Sequence, residues 1–158
     1  MNRWRKLRRL AWGDRWLLVQ AAVLLVYVRL RLPSIDFLPD DQRPPREPSC
    51  RAPESEAATA ERIATMVGIA ANHGPVTVAC LHRSITVWWM LRRRRIPCAL
   101  RIGAANAGGP FTAHAWVEHA GVPLNESINP GDAYSAFPSA VRPVGASQSR
   151  PRPVLPRR

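Results

Sequence analysis

A chain of 158 residues has room for one domain with a single modest core. Apolar residues make up 46%, which excludes a wholly disordered chain, and three scattered cysteines exclude a disulfide framework. A net charge of +12 suits nucleic acid, an anionic membrane surface or an acidic peptide. A nucleic-acid reader is disfavoured, because there is no nucleic-acid motif, no zinc-finger spacing and no aromatic row among the arginines.

The chain opens on Arg3, Arg5, Lys6, Arg8, Arg9 and Arg15. Residues 14–31 predict a helix that ends before Pro33, so 1–32 reads as a basic segment built around one apolar helix. Trp16 to Val28 is apolar apart from Gln20, yet short of the roughly 20 residues that cross a bilayer comfortably. Two readings stay open: a helix packed on the domain or on a partner protein, and a basic interfacial helix resting on a membrane. The lack of a clear polar face favours packing. No small-x-small cleavage site follows the run, so the expected location is cytoplasmic, with reduced thiols and the option of membrane association.

Residues 33–53 hold Pro33, Pro39, Pro44, Pro45, Pro48 and Pro53 and predict an irregular linker. Residues 54–71 predict a second helix. Glu54 and Glu56 suit the positive end of its dipole, and Ile63, Met66, Val67 and Ala70 recur on one face. His73-Gly74-Pro75 ends it. Residues 78–95 predict the central helix, with Thr77 as candidate N-cap and Cys80, Ser84, Val87, Trp88 and Leu91 as one buried stripe. Arg92 to Arg95 fall in its last turn, and Pro97 prevents continuation.

The period then changes. Cys98 to Ala104 reads as a strand, Gly108-Gly109-Pro110 as a turn, and Phe111 to His119 alternates as a second strand. In that strand Phe111, Ala113, Ala115 and Val117 face one way, and Thr112, His114, Trp116 and Glu118 the other. Gly121 permits a tight turn into a third strand over Val122 to Glu126. Helices followed by an antiparallel meander give an α+β class, with the helix that carries Cys80 packed on a small sheet. Residues 54–137 form the expected folded core. The Pro/Arg/Ser-rich stretch 138–158 is expected to be a disordered tail.

Within that order Cys80, His114 and Glu126 have the types needed for cysteine acyl transfer: a thiolate, a base and a carboxylate that orients the base. A thiol at a helix start feels the positive end of the dipole. Small neighbours at Ala113 and Ala115 leave room for a helix to approach His114. A hairpin of 112–119 with 122–126 would bring Glu126 to the strand start, where its carboxylate could fix the tautomer of His114. Asn125 could do the same through its amide oxygen. Each residue alone also has an ordinary structural role: a buried free thiol, a satisfied strand histidine, a solvated loop carboxylate. Cys50 in the linker and Cys98 beside Pro97 are not expected to be catalytic. A metal site from Cys80, His82, His114 and His119 fits no tetrahedral zinc spacing. His82 is expected on the exposed side of its helix, and Trp88, Trp89 and Trp116 in the core.

The stretch CLHRSITVWWMLRRRRIPCALRIG at 80–103, followed by FTAHAWVEHAGVPLNE at 111–126, resembles the leader peptidases of lasso peptide biosynthesis, a transglutaminase-like cysteine protease family. The resemblance covers 60–126. It implies a papain-like or transglutaminase-like fold, with Cys80 as nucleophile, His114 as base and Glu126 as third member. The family pattern has Asp at that last position, and Glu keeps the charge while adding one methylene. The implied activity is removal of the leader peptide from a ribosomally made precursor, without a cofactor. The implied partners are the precursor peptide, a separate small leader-recognition protein (in place of a fused N-terminal domain) and an asparagine-synthetase-like cyclase. A non-catalytic scaffold and a transglutaminase-type acyl transferase stay open as alternatives, since hydrolysis and transfer share the acyl-enzyme.

Overall fold

The computed structural model describes residues 11–39, 53–74, 76–105, 111–124, 126, 130–137 and 140–145. Three long helices, α1 (Trp12–Arg31), α2 (Glu54–His73) and α3 (Cys80–Arg92), pack on one another pairwise. They cover an antiparallel sheet of β1 (Ile35–Pro39), β2 (Ala99–Ala105), β3 (Thr112–His119), β4 (Val122–Pro123), β5 (Ser135–Ala136) and β6 (Val141–Gly145). A single turn of helix, α4 (Pro130–Ala133), precedes β5. The spatial order is β1-β6-β2-β3-β4, with β5 on β2 beside Gly103 and Ala104. This is the α+β, papain-like arrangement of a helical layer on a small antiparallel sheet.

The helices follow their apolar periodicity. On α2 the predicted face Ile63, Met66, Val67 and Ala70 is buried. On α3 Ser84, Val87, Trp88 and Leu91 are buried, and Cys80, at the open end of the same stripe, is half-buried. Ile63, Ile85, Leu91 and Leu100 are fully enclosed where the helices meet β2. Shortening any of these to Ala would cost about 2–5 kcal/mol through lost burial and the cavity left behind. α1 joins the core through Ala21, Leu25 and Val28, so the packed reading of this helix holds for that face.

Several boundaries differ from expectation. The central helix starts at Cys80 and not at 78, and its N-cap is Ala79, not Thr77. The Ala79 N–H donates to His82 Nδ1 at 3.2 Å, so a side chain three residues inside the helix supplies the cap. That role draws His82 inward. It is buried, not exposed as its spacing suggested. Only Arg92 lies in the last turn of α3; Arg93 to Arg95 form the following turn. There Arg95 is left-handed at φ 60° and the Ile96 N–H reaches the Leu91 carbonyl at 3.1 Å.

The expected linker and tail each contribute a strand. Ile35–Pro39 pairs with Val141–Gly145 antiparallel, Phe37 opposite Pro143. Prolines made both stretches read as irregular. Pro39 lies on the edge strand β1, which need not donate every N–H, and Pro143 lies on β6 beyond Val141, the one residue of that strand paired with β2. Cys50, Asn125, the rest of the linker (40–52) and the end of the tail (146–158) lie outside the described residues. The strand expected over 122–126 is only Val122–Pro123. Ala120 and Gly121 both take positive φ, 51° and 79°, which fits a two-residue hairpin loop. Leu124 still donates to the Val117 carbonyl at 2.9 Å before the chain leaves the sheet.

Candidate active site

Among the described residues β4 pairs only with Glu118 and His119, which leaves the outer edge of the earlier part of β3 for α3 to approach. There the Ser84 hydroxyl donates to the Ala115 carbonyl at 2.7 Å, a buried bond between the helix that carries Cys80 and the strand that carries His114. Ser84 lies one helical turn after Cys80, and Ala115 follows His114 directly. The bond therefore fixes the two candidate reactive groups against each other through a short, stiff path.

A cleft of about 320 Å³ lies at this junction. Cys80, His114 and Glu126 all line it, so the structure brings the three sequence-predicted site residues together. Apolar walls come from Val67, Val78, Val87 and Leu124. Arg83 also lines the cleft; its Nη2 donates to Asn72 Oδ1 at 2.8 Å.

His114 Nε2 lies 3.2 Å from Glu126 Oε1. A carboxylate only accepts, so this contact selects the tautomer with the proton on Nε2 and leaves the Nδ1 lone pair available as a base. The truncated third strand did not prevent the meeting: Leu124 stays bonded to β3, and two residues later the Glu126 carboxylate reaches the imidazole.

The imidazole is also held by rings. Trp116 stacks on one side at 6.1 Å between centroids with 15° between planes, and Tyr134 on another at 5.2 Å and 29°. Trp116 is in turn fixed by its indole N–H, which donates to Glu118 Oε1 at 2.9 Å, while Arg101 Nε donates to Glu118 Oε2 at 3.2 Å. Gly103 sits opposite His114 in the β2–β3 register. A Cβ there would come within 3.0 Å of the Trp116 ring and 3.1 Å of the Ser135 carbonyl. Only glycine lets the indole lie flat beside the imidazole.

Sequence reasoning placed Trp116 in the core, which is where its ring is, but missed its contact with His114. It also missed Tyr134 and the roles of Gly103 and Ser84. A glycine inside a strand run is a readable sign of close approach. Tyr134 follows α4, far along the chain from its ring partner, and carries no local signal.

The other chemically active side chains lie elsewhere. Cys98 is buried, its thiol directed to the Trp88 carbonyl at 3.9 Å. His119 donates from Nδ1 to the Pro97 carbonyl at 2.7 Å. His82 is occupied by the Ala79 cap, and its pKa lies below the ordinary 6.5, first because burial disfavours the charged ring and then because Arg29 repels it. Among the described residues, no three His, Cys, Asp or Glu side chains are grouped to hold a metal ion.

A half-exposed thiol at a helix start, an imidazole with a free Nδ1 and a carboxylate behind it can together open an amide or ester through a thioester. Comparison with known families agrees with this chemistry. The model of the transglutaminase-like superfamily matches residues 22–139, and members of that superfamily are typically cysteine-dependent enzymes. No curated protein and no solved structure matches the chain.

Proposed function

Because the chain belongs to the transglutaminase-like superfamily, we propose that it is a cysteine peptidase that removes the leader from a ribosomally made precursor during lasso peptide maturation. The observation that carries the chemistry is the sharing of one cleft by Cys80, His114 and Glu126, with the imidazole 3.2 Å from the carboxylate. The choice of a leader–core peptide as substrate rests on the likeness of 80–103 and 111–126 to the lasso leader peptidases.

In this mechanism His114 Nδ1 takes the Cys80 proton, and Glu126 stabilises the resulting imidazolium through Nε2–H. The thiolate adds to the carbonyl of the last leader residue. The oxyanion is met by the backbone N–H groups of Cys80 and Leu81 at the start of α3, since those of His82 and Arg83 already donate to the Ala79 carbonyl. Collapse breaks the C–N bond as His114 protonates the leaving amine, which departs as the N-terminus of the core peptide. Water, deprotonated by His114, then cleaves the thioester and releases the leader as a carboxylate. A separate leader-recognition protein delivers the precursor, and the freed core passes to an asparagine-synthetase-like cyclase.

The test is incubation of precursor and leader-recognition protein with wild type and with Cys80→Ala, read by mass. The proposal expects a single hydrolytic cut with wild type and none with the variant. Equal cutting by Cys80→Ala would falsify the cysteine mechanism. A mass gain by the peptide in place of a cut would instead identify an acyl transferase. Absence of cutting by either protein, with partner binding retained, would identify a scaffold.

A further inference from the structure

The helix α1 has two apolar faces, and among the described residues only one is sealed; the other stays exposed, although at one margin the Tyr27 ring lies 5.7 Å from that of Trp89 on α3. Ala21, Leu25 and Val28 are sealed against α2 and α3. On the opposite side Trp12, Trp16, Val19, Val23, Tyr27 and Leu30 are exposed, Val23 at 66% and Leu30 at 74%. At 3.6 residues per turn these six fall within an arc of roughly 80°, so they form one continuous stripe about 30 Å long. A single exposed Leu needs no explanation, but a stripe of this length implies something that covers it.

We propose that this stripe is a membrane-docking surface that seats the protein on an anionic lipid bilayer, with α1 lying parallel to the plane. Charge decides for lipid over a protein groove. Arg31 flanks the stripe on one side, and Arg15 and Arg29 flank it on the other; Arg3, Arg5, Lys6, Arg8 and Arg9 precede it in the sequence. Cations along both margins match a surface whose negative charge is continuous, as phospholipid headgroups provide.

The side chains suit that depth. Trp12, Trp16 and Tyr27 carry a polar tip on an apolar ring, the type that settles at the headgroup boundary. The Arg15 guanidinium lies 6.0 Å from the Trp12 ring and that of Arg31 5.8 Å from the Tyr27 ring, so charge and ring occupy one level. The helix is held flat by the protein beneath it. Asp14 is ion-paired to Arg62, and Arg94 donates to Gln20 at 3.1 Å. Among the described residues no helix is long and apolar enough to cross a membrane. The missing polar face, which argued against an interfacial helix in the sequence, has its explanation here: the side that would meet water meets α2 and α3 instead.

Co-sedimentation of the full chain with vesicles tests this. The protein should pellet with equimolar phosphatidylcholine and phosphatidylglycerol and stay in solution with phosphatidylcholine alone, and added salt should weaken binding. Val19→Asp with Val23→Asp should abolish pelleting with no change in the thermal melt. The milder pair Val19→Thr with Val23→Thr, which keeps side-chain shape, should weaken it without risk to the fold. Arg29→Gln and Arg31→Gln should each weaken binding about fivefold. The proposal is overturned if the protein ignores anionic vesicles, or if it pellets equally well after the Val19 and Val23 changes. It is equally overturned if the stripe proves to be a self-association surface, shown by an oligomer that Val23→Asp dissolves.

Discussion

The two ends of β3 each carry a histidine, and the two are held in opposite ways. Near the start, His114 is half-buried, stacked between Trp116 and Tyr134, with one nitrogen on Glu126 and the other free in a cleft. At the end, His119 is buried and spends its Nδ1–H on the Pro97 carbonyl. Residue type does not separate them. The separation comes from what the sheet leaves open: β4 closes the strand beside His119, while among the described residues no strand pairs on that side of His114, where the helix that carries Cys80 approaches. A reactive site here is a place where the sheet stops short.

Substitutions can break this contrast. His114→Ala should lower the rate of acyl transfer to Cys80 by about 10²–10⁴-fold, the usual worth of a general base, with the unfolding midpoint little changed. Glu126→Gln keeps the size of the side chain but removes the charge that supports the imidazolium, and should cost on the order of 10²-fold in kcat. A loss confined to KM would assign Glu126 to substrate binding instead.

Gly103→Ala acts at one remove. The added methyl presses on the Trp116 ring and tilts the stack on His114, so a fall of roughly 10-fold in kcat is expected, given the sensitivity of such sites to small misplacements. Trp116→Phe in the same background should restore part of the activity by making room; a double variant no better than the single would place the effect elsewhere. At the other end of the strand, His119→Ala should cost about 1–3 kcal/mol in denaturant unfolding by leaving the Pro97 carbonyl unpaired, while activity per folded molecule stays intact.

The smallest effect concerns His82. Its pKa in the folded protein lies below 6.5, so the folded state favours the neutral ring that accepts from Ala79. Stability from this group is therefore complete above pH 6.5 and is lost as pH falls below it toward the lowered folded value. A thermal melt series should show this decline in wild type, and His82→Gln should flatten it. An unchanged slope in the variant would move the pH sensitivity to another group.

Much of the site was legible because its residues are chemically uncommon and their order is informative. Cys80 could be placed at a helix start and His114 on a strand, and a hairpin predicted the approach of Glu126. The positioning groups were less visible. Tyr134 comes from a distant segment, and the bond from Ser84 to Ala115 depends on how α3 meets the strand edge. For the fold, three helices and a meander were readable from periodicity. The β1–β6 pair was hidden, since proline-rich composition masks two five-residue strands that are stable only when paired. α1 was ambiguous for a physical reason: with apolar residues on both faces, periodicity shows no side, and only the packed structure tells which face is covered.

The central claim is that Cys80 and His114 act as one nucleophilic couple. Its most direct measurement is limited alkylation by iodoacetamide at neutral pH, with the modified cysteine located by peptide mass in wild type and in His114→Gln. The account predicts that Cys80 is modified first, ahead of Cys50 and Cys98, and that His114→Gln slows its modification at least about 10-fold because the base that generates the thiolate is gone. Modification of Cys80 at the same rate in both proteins, or preferential modification of Cys98, would contradict it.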